Sequence, residues 1–269
     1  MRKIILFISM MFSMIFLAAC SGGNKNINKV KVGYIGESDR VIWEEVKRQV
    51  STNNIEIELI SFGDYLLPNQ ALNDGDIDLN NFQHYAFFNN EVETKGYKLT
   101  AIADTCLAAM NIYSDNIKDL SEIKEGDKIA IPNDPSNGGR ALKVLEAAGL
   151  ITLKDKSIAN PELKDIKENK LNLDIIEMDA GSIYSILPDV ACAVINCNFA
   201  LNFGLNPDQD SIYKDNPTNY NDKNYINIIA ARTEDKDNEV YKTIVKAYQS
   251  EEVKEIYRKD FKGAYIAVW

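Results

Sequence analysis

Residues 129 to 140, Ile-Ala-Ile-Pro-Asn-Asp-Pro-Ser-Asn-Gly-Gly-Arg, constrain this chain more than any other stretch. An apolar strand, Ile129-Ala130-Ile131, enters a polar turn. A run to Leu150 follows, with Ala141, Leu142, Leu145 and Ala148 spaced as one face of a helix. Pro135 fixes the entry, Ser136 or Asn137 can cap the helix, and Gly138 and Gly139 let another group approach the backbone. A helix start presents unpaired amides and partial positive charge, which suits an anion. Arg140 adds a planar fork matched to two carboxylate or phosphate oxygens. An α/β unit holding a carboxylate-bearing ligand is therefore expected; an ordinary strand-to-helix turn with a solvated Arg is the alternative.

The N-terminus sets the compartment. Arg2 and Lys3 precede the apolar run Ile4 to Phe16, and Leu17-Ala18-Ala19-Cys20 follows. This is the pattern of a secretory signal, too short to span a bilayer stably. The Leu-Ala-Ala-Cys order resembles the bacterial lipobox, in which the Cys is acylated and becomes the mature N-terminus. Residues 1–19 are then a signal peptide and residues 20–29 a lipidated tether with almost nothing to bury. The rest is long enough for one large or two moderate domains.

Thirty basic against forty acidic residues give a net charge of −10, which argues against a nucleic-acid partner. His84 is the single His, so no Cys/His ligand cluster exists; no transition metal and no cofactor is expected. Of the remaining cysteines, Cys106, Cys192 and Cys197, the last two would lie on opposite faces of one strand, about 16 Å apart at about 3.3 Å per residue. Buried thiols are expected rather than a bridge.

Val30 to Ile35 reads as a strand, Val41 to Val50 as a helix capped by Ser38 or Asp39, and Ile55 to Leu59 as a second strand. This βαβ unit binds ligands at the carboxyl ends of its strands, where Phe62 and Tyr65 fall. Asp76 to His84 is a strand running into a loop, with Phe82, Gln83 and His84 together and Tyr85, Phe87 and Phe88 next. These aromatics either line a pocket for an apolar side chain or form core. Leu99 to Ala103 and Leu107 to Tyr113 read as two strands, the second long enough to pass into another domain. Leu150 to Asn172 reads as a loop with a weak helix. Val190 to Ile195 is a continuous apolar strand of the kind buried on both faces of a parallel sheet, and Asn196, Asn198 and Phe199 emerge at its end. Asn227 interrupts the last long strand, Tyr225 to Ala231, either as a water-facing residue or as an amide at a hinge.

Several of these segments together resemble the NlpA-type methionine-binding lipoproteins. They are Gly75-Asp76-Ile77-Asp78 with Phe82-Gln83-His84, the run Ile131 to Leu142, Ala193-Val194-Ile195-Asn196, Ala247-Tyr248-Gln249-Ser250 and Lys262-Gly263-Ala264. The resemblance implies a two-lobed periplasmic-binding-protein-like (type II) α/β fold, each lobe a mostly parallel sheet flanked by helices, with two hinge crossings. Lobe 1 would span 30–110 and 225–269, and lobe 2 would span 111–224. It implies a lipid-anchored, monomeric solute-binding protein of an ABC importer in the bacterial cell envelope, held by acylated Cys20. L-methionine would be its ligand and a membrane permease its partner. Arg140 would take the carboxylate, Asn196 and Asn227 the polar groups, and Tyr65, Phe82, His84 and Phe87 the thioether side chain. The chain departs from the family pattern at Phe87, commonly Tyr, at Tyr85-Ala86, usually a Pro step, and at Glu37-Ser38-Asp39, which lacks a frequent Pro-His. Another amino acid, a Met-containing dipeptide, or a surface lipoprotein without a transport role are the other readings. An enzyme on this scaffold would need Cys197 or His84, which fall in segments assigned to opposite lobes without a third member, so no catalysis is expected.

Overall fold

The computed structural model describes residues 27–216, 223–261 and 264–269. The signal segment, Cys20 and most of the tether lie outside the described residues.

The first βαβ unit forms as its apolar spacing dictates. Strand β1 (Asn28–Ile35) leads to helix α1 (Arg40–Val50), which buries Ile42, Trp43, Val46 and Val50 and returns to β2 (Ile55–Phe62), parallel to β1. Helix α2 (Pro68–Asp74) opens on a proline and stops at Gly75, whose φ of 83° is the left-handed conformation a helix end uses. Next come β3 (Leu79–Asn81), helix α3 (Tyr85–Lys95) and β4 (Leu99–Ala108). After Ala109, β5 (Met110–Tyr113) already belongs to a second sheet. The strand expected to begin at Leu107 is thus two strands, and β4 runs unbroken where a gap was expected.

The second sheet contains β6 (Lys128–Pro132), β9 (Asp174–Met178), β10 (Cys192–Asn196) and β11 (Ser211–Tyr213), with helix α4 (Pro135–Ala147) between β6 and β9. The polar stretch expected to be a loop carries a two-stranded ribbon, β7 (Thr152–Leu153) with β8 (Ile166–Glu168). Helix α5 (Cys197–Asn202) follows β10 directly. Strand β12 (Ile226–Arg232) is back in the first sheet, followed by α6 (Glu239–Tyr248), α7 (Glu251–Lys259) and β13 (Tyr265–Ala267).

The two sheets, ordered β13-β4-β12-β3-β1-β2 and β11-β5-β10-β6-β9, are the bodies of a two-lobed α/β fold. Both are mixed. The βαβ strands pair in parallel, whereas β4, β5 and β12, next to the interlobe connections, pair antiparallel with their neighbours. Strands that carry the chain between sheets have no helical crossover to turn them parallel. One apolar cluster sits between α1, α6 and α7 and the first sheet, another between α4 and the second. A third draws Ile35, Tyr65, Phe82 and Phe87 from the first lobe together with Tyr113, Ala180, Ile183 and Phe199 from the second. All three cysteines among the described residues are buried free thiols, as their spacing suggested.

Candidate functional site

The turn before α4 is built differently from its expected form. Asp134, not Ser136 or Asn137, is the N-cap; its Oδ1 accepts the Asn137 amide at 2.9 Å and the Ser136 hydroxyl at 2.8 Å. The positive end of the helix is therefore already served by the chain's own carboxylate. The two glycines serve packing rather than a ligand. A Cβ at Gly138 would lie 2.7 Å from the Pro132 carbonyl, and one at Gly139 would lie 2.8 Å from the Asn160 Cα. This tight seating sends Arg140 inward, where it is 2 % exposed.

Arg140 Nη2 donates to the Ala108 carbonyl at 2.7 Å and lies 3.1 Å from Asp215 Oδ2, while its guanidinium carbon lies 4.8 Å above the Tyr225 ring. Asp215 and Tyr225 were not singled out in the sequence. Asp215 comes from a polar, Asn-rich stretch with no periodicity to mark it, and Tyr225 was read only as the first residue of the last long strand.

His84 is the N-cap of α3. Its Nδ1 accepts the Phe87 amide at 3.2 Å, so the ring proton sits on Nε2, which donates to Asn137 Oδ1 at 3.2 Å. The same Asn137 oxygen accepts Asn196 Nδ2 at 2.7 Å. Burial, helped by the charge of Arg140, pushes His84 down to about 3, so the ring is neutral. Asn227 reaches this corner through an isolated bridge to His84, and its Nδ2 donates to the Cys106 carbonyl at 3.3 Å. It is half-buried rather than fully water-facing. Gln83, by contrast, is tied into a buried amide network with Asn69 and Asn80.

Tyr65, Phe82 and Phe87 form a closed triangle of rings, with centroids 5.7 to 5.8 Å apart, and Phe199 packs against Tyr65 with centroids 4.8 Å apart and the rings tilted by 45°. Tyr65 also donates its hydroxyl to Asn198 Oδ1 at 2.6 Å. All seven residues proposed from the sequence line one cavity of about 40 Å³, joined by Asn137, Asn198, Asp39, Cys106, Cys197, Tyr248 and Tyr265. Two polar atoms there, Asn196 Oδ1 and Asn198 Nδ2, are buried without a hydrogen-bond partner. Buried polar atoms are rarely left so, and here each offers an acceptor or donor to an occupant. Cys197 is no nucleophile: burial pushes its thiol well above the ordinary range.

The family model described as NlpA lipoprotein matches residues 30–269. The D-methionine-binding lipoprotein MetQ of Salmonella typhi is 40 % identical over 94 % of this chain and 93 % of its own length. A crystal structure described as that of the methionine binding protein MetQ superposes with a TM-score of 0.86 at 39 % identity, covering 91 % of this chain and 99 % of that one. A nutrient binding protein from Burkholderia cenocepacia, solved bound to methionine, gives 0.83 at 39 % identity over 89 % of this chain and 100 % of that one.

Proposed function

The chain belongs to the NlpA lipoprotein family, and on that footing we propose that it is the lipid-anchored solute-binding protein of an ABC importer. It captures L-methionine between its lobes and passes it to a membrane permease. The family is one of substrate-binding proteins and not of enzymes. Acylated Cys20 holds it, as a monomer, at the bacterial cell envelope. Lobe 1 comprises 30–109 and 225–269, and lobe 2 comprises 110–224, one residue earlier than the expected boundary, with the first crossing at Ala109, between β4 and β5.

The observation that carries this reading is a cationic fork, an unpartnered amide oxygen and a three-ring wall in one buried cavity. In this reading the ligand carboxylate takes the place beside Arg140 and its ammonium faces Asn196 Oδ1 and Asn227. The thioether lies among Tyr65, Phe82 and Phe87, with neutral His84 closing that side. Burying a methionine side chain contributes about 1.5 to 3 kcal/mol. Sulfur against aromatic rings adds about 0.3 to 1.5, and a charge-assisted bond adds about 1.5 to 3. Leucine gains the first contribution without the second, so selectivity over it is modest.

Native mass spectrometry of the form starting after Cys20, as purified and after unfolding, refolding and titration with the twenty amino acids, tests the reading. A copurified mass equal to methionine, with selective retitration, is expected. Arg140→Ala should weaken methionine binding by at least about 2 kcal/mol. Because Arg140 also faces Asp215, the substitution is paired with Asp215→Asn, which removes the buried charge that would otherwise destabilise the fold. Unchanged affinity in the double variant would exclude Arg140 as the carboxylate grip.

A further inference from the structure

Asn196 stands at the N-cap of α5 yet makes no capping hydrogen bond, although an Asn there ordinarily offers its side-chain oxygen to the helix amides. Its side chain turns to Asn137 instead. Nδ2 donates to Asn137 Oδ1 at 2.7 Å, and Oδ1 is left buried, with no hydrogen-bond partner among the described residues, in a side chain that lines the cavity. An amide can present either end to a ligand, and here the acceptor is the end left over.

Two helix caps decide which end that is. Asp134, the N-cap of α4, accepts Asn137 Nδ2 at 3.0 Å through Oδ2 and at 3.2 Å through Oδ1, and a carboxylate has no proton to give in return. Asn137 therefore turns Nδ2 towards Asp134 and Oδ1 away from it. His84, the N-cap of α3, accepts the Phe87 amide on Nδ1, so its neutral ring donates only from Nε2, which lies 3.2 Å from the same Asn137 Oδ1. Held as an acceptor on both sides, Asn137 Oδ1 requires Nδ2 from Asn196. Reversing Asn196 would set two oxygens 2.7 Å apart, and reversing Asn137 would set its oxygen 3.0 Å from the Asp134 carboxylate. Asn137 is 2 % exposed, so bulk water relieves neither conflict.

Building on the reading of this cavity as a methionine cleft, we propose that Asn137 is a positioning residue that sets the polarity of the site. By holding Asn196 with its oxygen inward, it makes the cleft take a hydrogen-bond donor, the α-ammonium, and refuse an acceptor at the same place. Asn137 does this through Asn196 and needs no contact of its own with the ligand. A 2-oxo acid with the same thioether and carboxylate carries a carbonyl oxygen where methionine carries its ammonium, and so meets Asn196 Oδ1 oxygen to oxygen. A site built to hydrogen-bond an N–H rejects an analogue without one, because its own buried group is left unpaired. Without Asn137 the Asn196 amide is free to turn, and Nδ2 then serves the carbonyl.

The test is calorimetric titration of ligand-stripped wild type, Asn137→Ala and Asn137→Asp with L-methionine and 4-methylthio-2-oxobutanoate. We expect wild type to bind methionine at least about one hundredfold tighter than the oxo acid. Asn137→Ala should lower that ratio at least about tenfold, beyond any loss the two ligands share. Asn137→Asp keeps an acceptor facing Asn196 and His84, with one proton shared between positions 134 and 137 in place of the Nδ2 hydrogen, and should hold the ratio within about threefold of wild type. A purely structural Asn137 would weaken both ligands alike, so an unchanged ratio in Asn137→Ala overturns the proposal, as does an equal fall in both variants. The wild type supplies a check that needs no variant. His84 is the single His, so long-range proton–nitrogen correlation spectra show one imidazole; it should carry its proton on Nε2 and not titrate between about pH 5 and 8. A proton on Nδ1, or titration near the ordinary 6.5, overturns the proposal. Wild type that binds methionine and the oxo acid alike also overturns it and leaves the methionine cleft standing. Wild type that binds neither overturns the methionine cleft itself, and the role of Asn137 with it.

Discussion

His84 and Asp39 face one cavity and titrate in opposite senses. Folding lowers His84 from its ordinary 6.5 to about 3, so between these values the unfolded chain holds a proton that the folded one lacks. Stability from this residue therefore grows as pH rises through that window and is lost as pH falls. Asp39 goes from 3.8 to about 7, so between these values the folded chain holds the extra proton and stability falls as pH rises. Near pH 5 the two slopes oppose each other, each up to about 1.4 kcal/mol per pH unit. In ligand-free protein, urea melts at pH 4.5 and 6 should show Asp39→Asn gaining stability relative to wild type as pH rises, and His84→Gln losing it. Parallel pH dependence in all three proteins would mean that neither group is desolvated as placed. At this scale the sequence was partly legible. Arg140 stood out by its place in a helix-start turn, whereas Tyr65, Phe82, His84, Phe87, Asn196 and Asn227 were brought together by the family resemblance, since the residues alone left the aromatics open between pocket and core and Asn227 open between water and hinge. Asp39 and Asp215 were not identified, since a surface Asp and a buried one look the same until distant segments pack around them.

Among the elements, the six-residue helix α5 touches both lobes. Cys197 and Leu201 pack into the cluster on the first sheet, whereas Phe199 and Ala200 pack into the interlobe cluster. At its end Asn202 Oδ1 accepts the backbone amides of Glu37 at 2.9 Å and Ser38 at 2.7 Å, in the loop after β1. The fit demands a glycine opposite. Gly36 has φ of 66°, and a Cβ there would sit 1.7 Å from Asn202 Nδ2. Two net hydrogen bonds of about 0.5 to 1.5 kcal/mol each hold the lobes together at this point. Asn202→Ala should therefore raise the methionine Kd roughly tenfold by calorimetry although Asn202 does not line the cavity, and Gly36→Ala should cost more because strain joins the clash. An unchanged Kd for Asn202→Ala would show that this contact persists equally in the open state. Strands β1, β6 and β10 and helix α4 were plain in the sequence because each carries its own apolar period. The β7 and β8 ribbon was not, since two- and three-residue strands leave no period to read, and the Asn202 contact joins residues more than 160 positions apart.

For the whole molecule, the question is whether two sheets make two unfolding units. Each has its own apolar cluster, which taken alone predicts independent melting. The third cluster argues otherwise, because Ile35, Tyr65, Phe82 and Phe87 on one side and Tyr113, Ala180, Ile183 and Phe199 on the other bury one another. Losing either lobe exposes half of that shared core to water. The chain also crosses between lobes twice, so the first lobe is split around the second and is not complete until the chain has returned from it. A ligand at this seam stabilises only the state in which both lobes are formed. At one hundred times its Kd it adds about 2.7 kcal/mol. With about 2 to 4 °C per kcal/mol for a chain of this size, Tm should rise by about 5 to 10 °C. Differential scanning calorimetry of ligand-stripped protein should therefore show one endotherm that moves as a whole when methionine is added. Two endotherms, only one of them moving, would mean that the shared core is too weak to couple the lobes and that the ligand rests on one lobe alone.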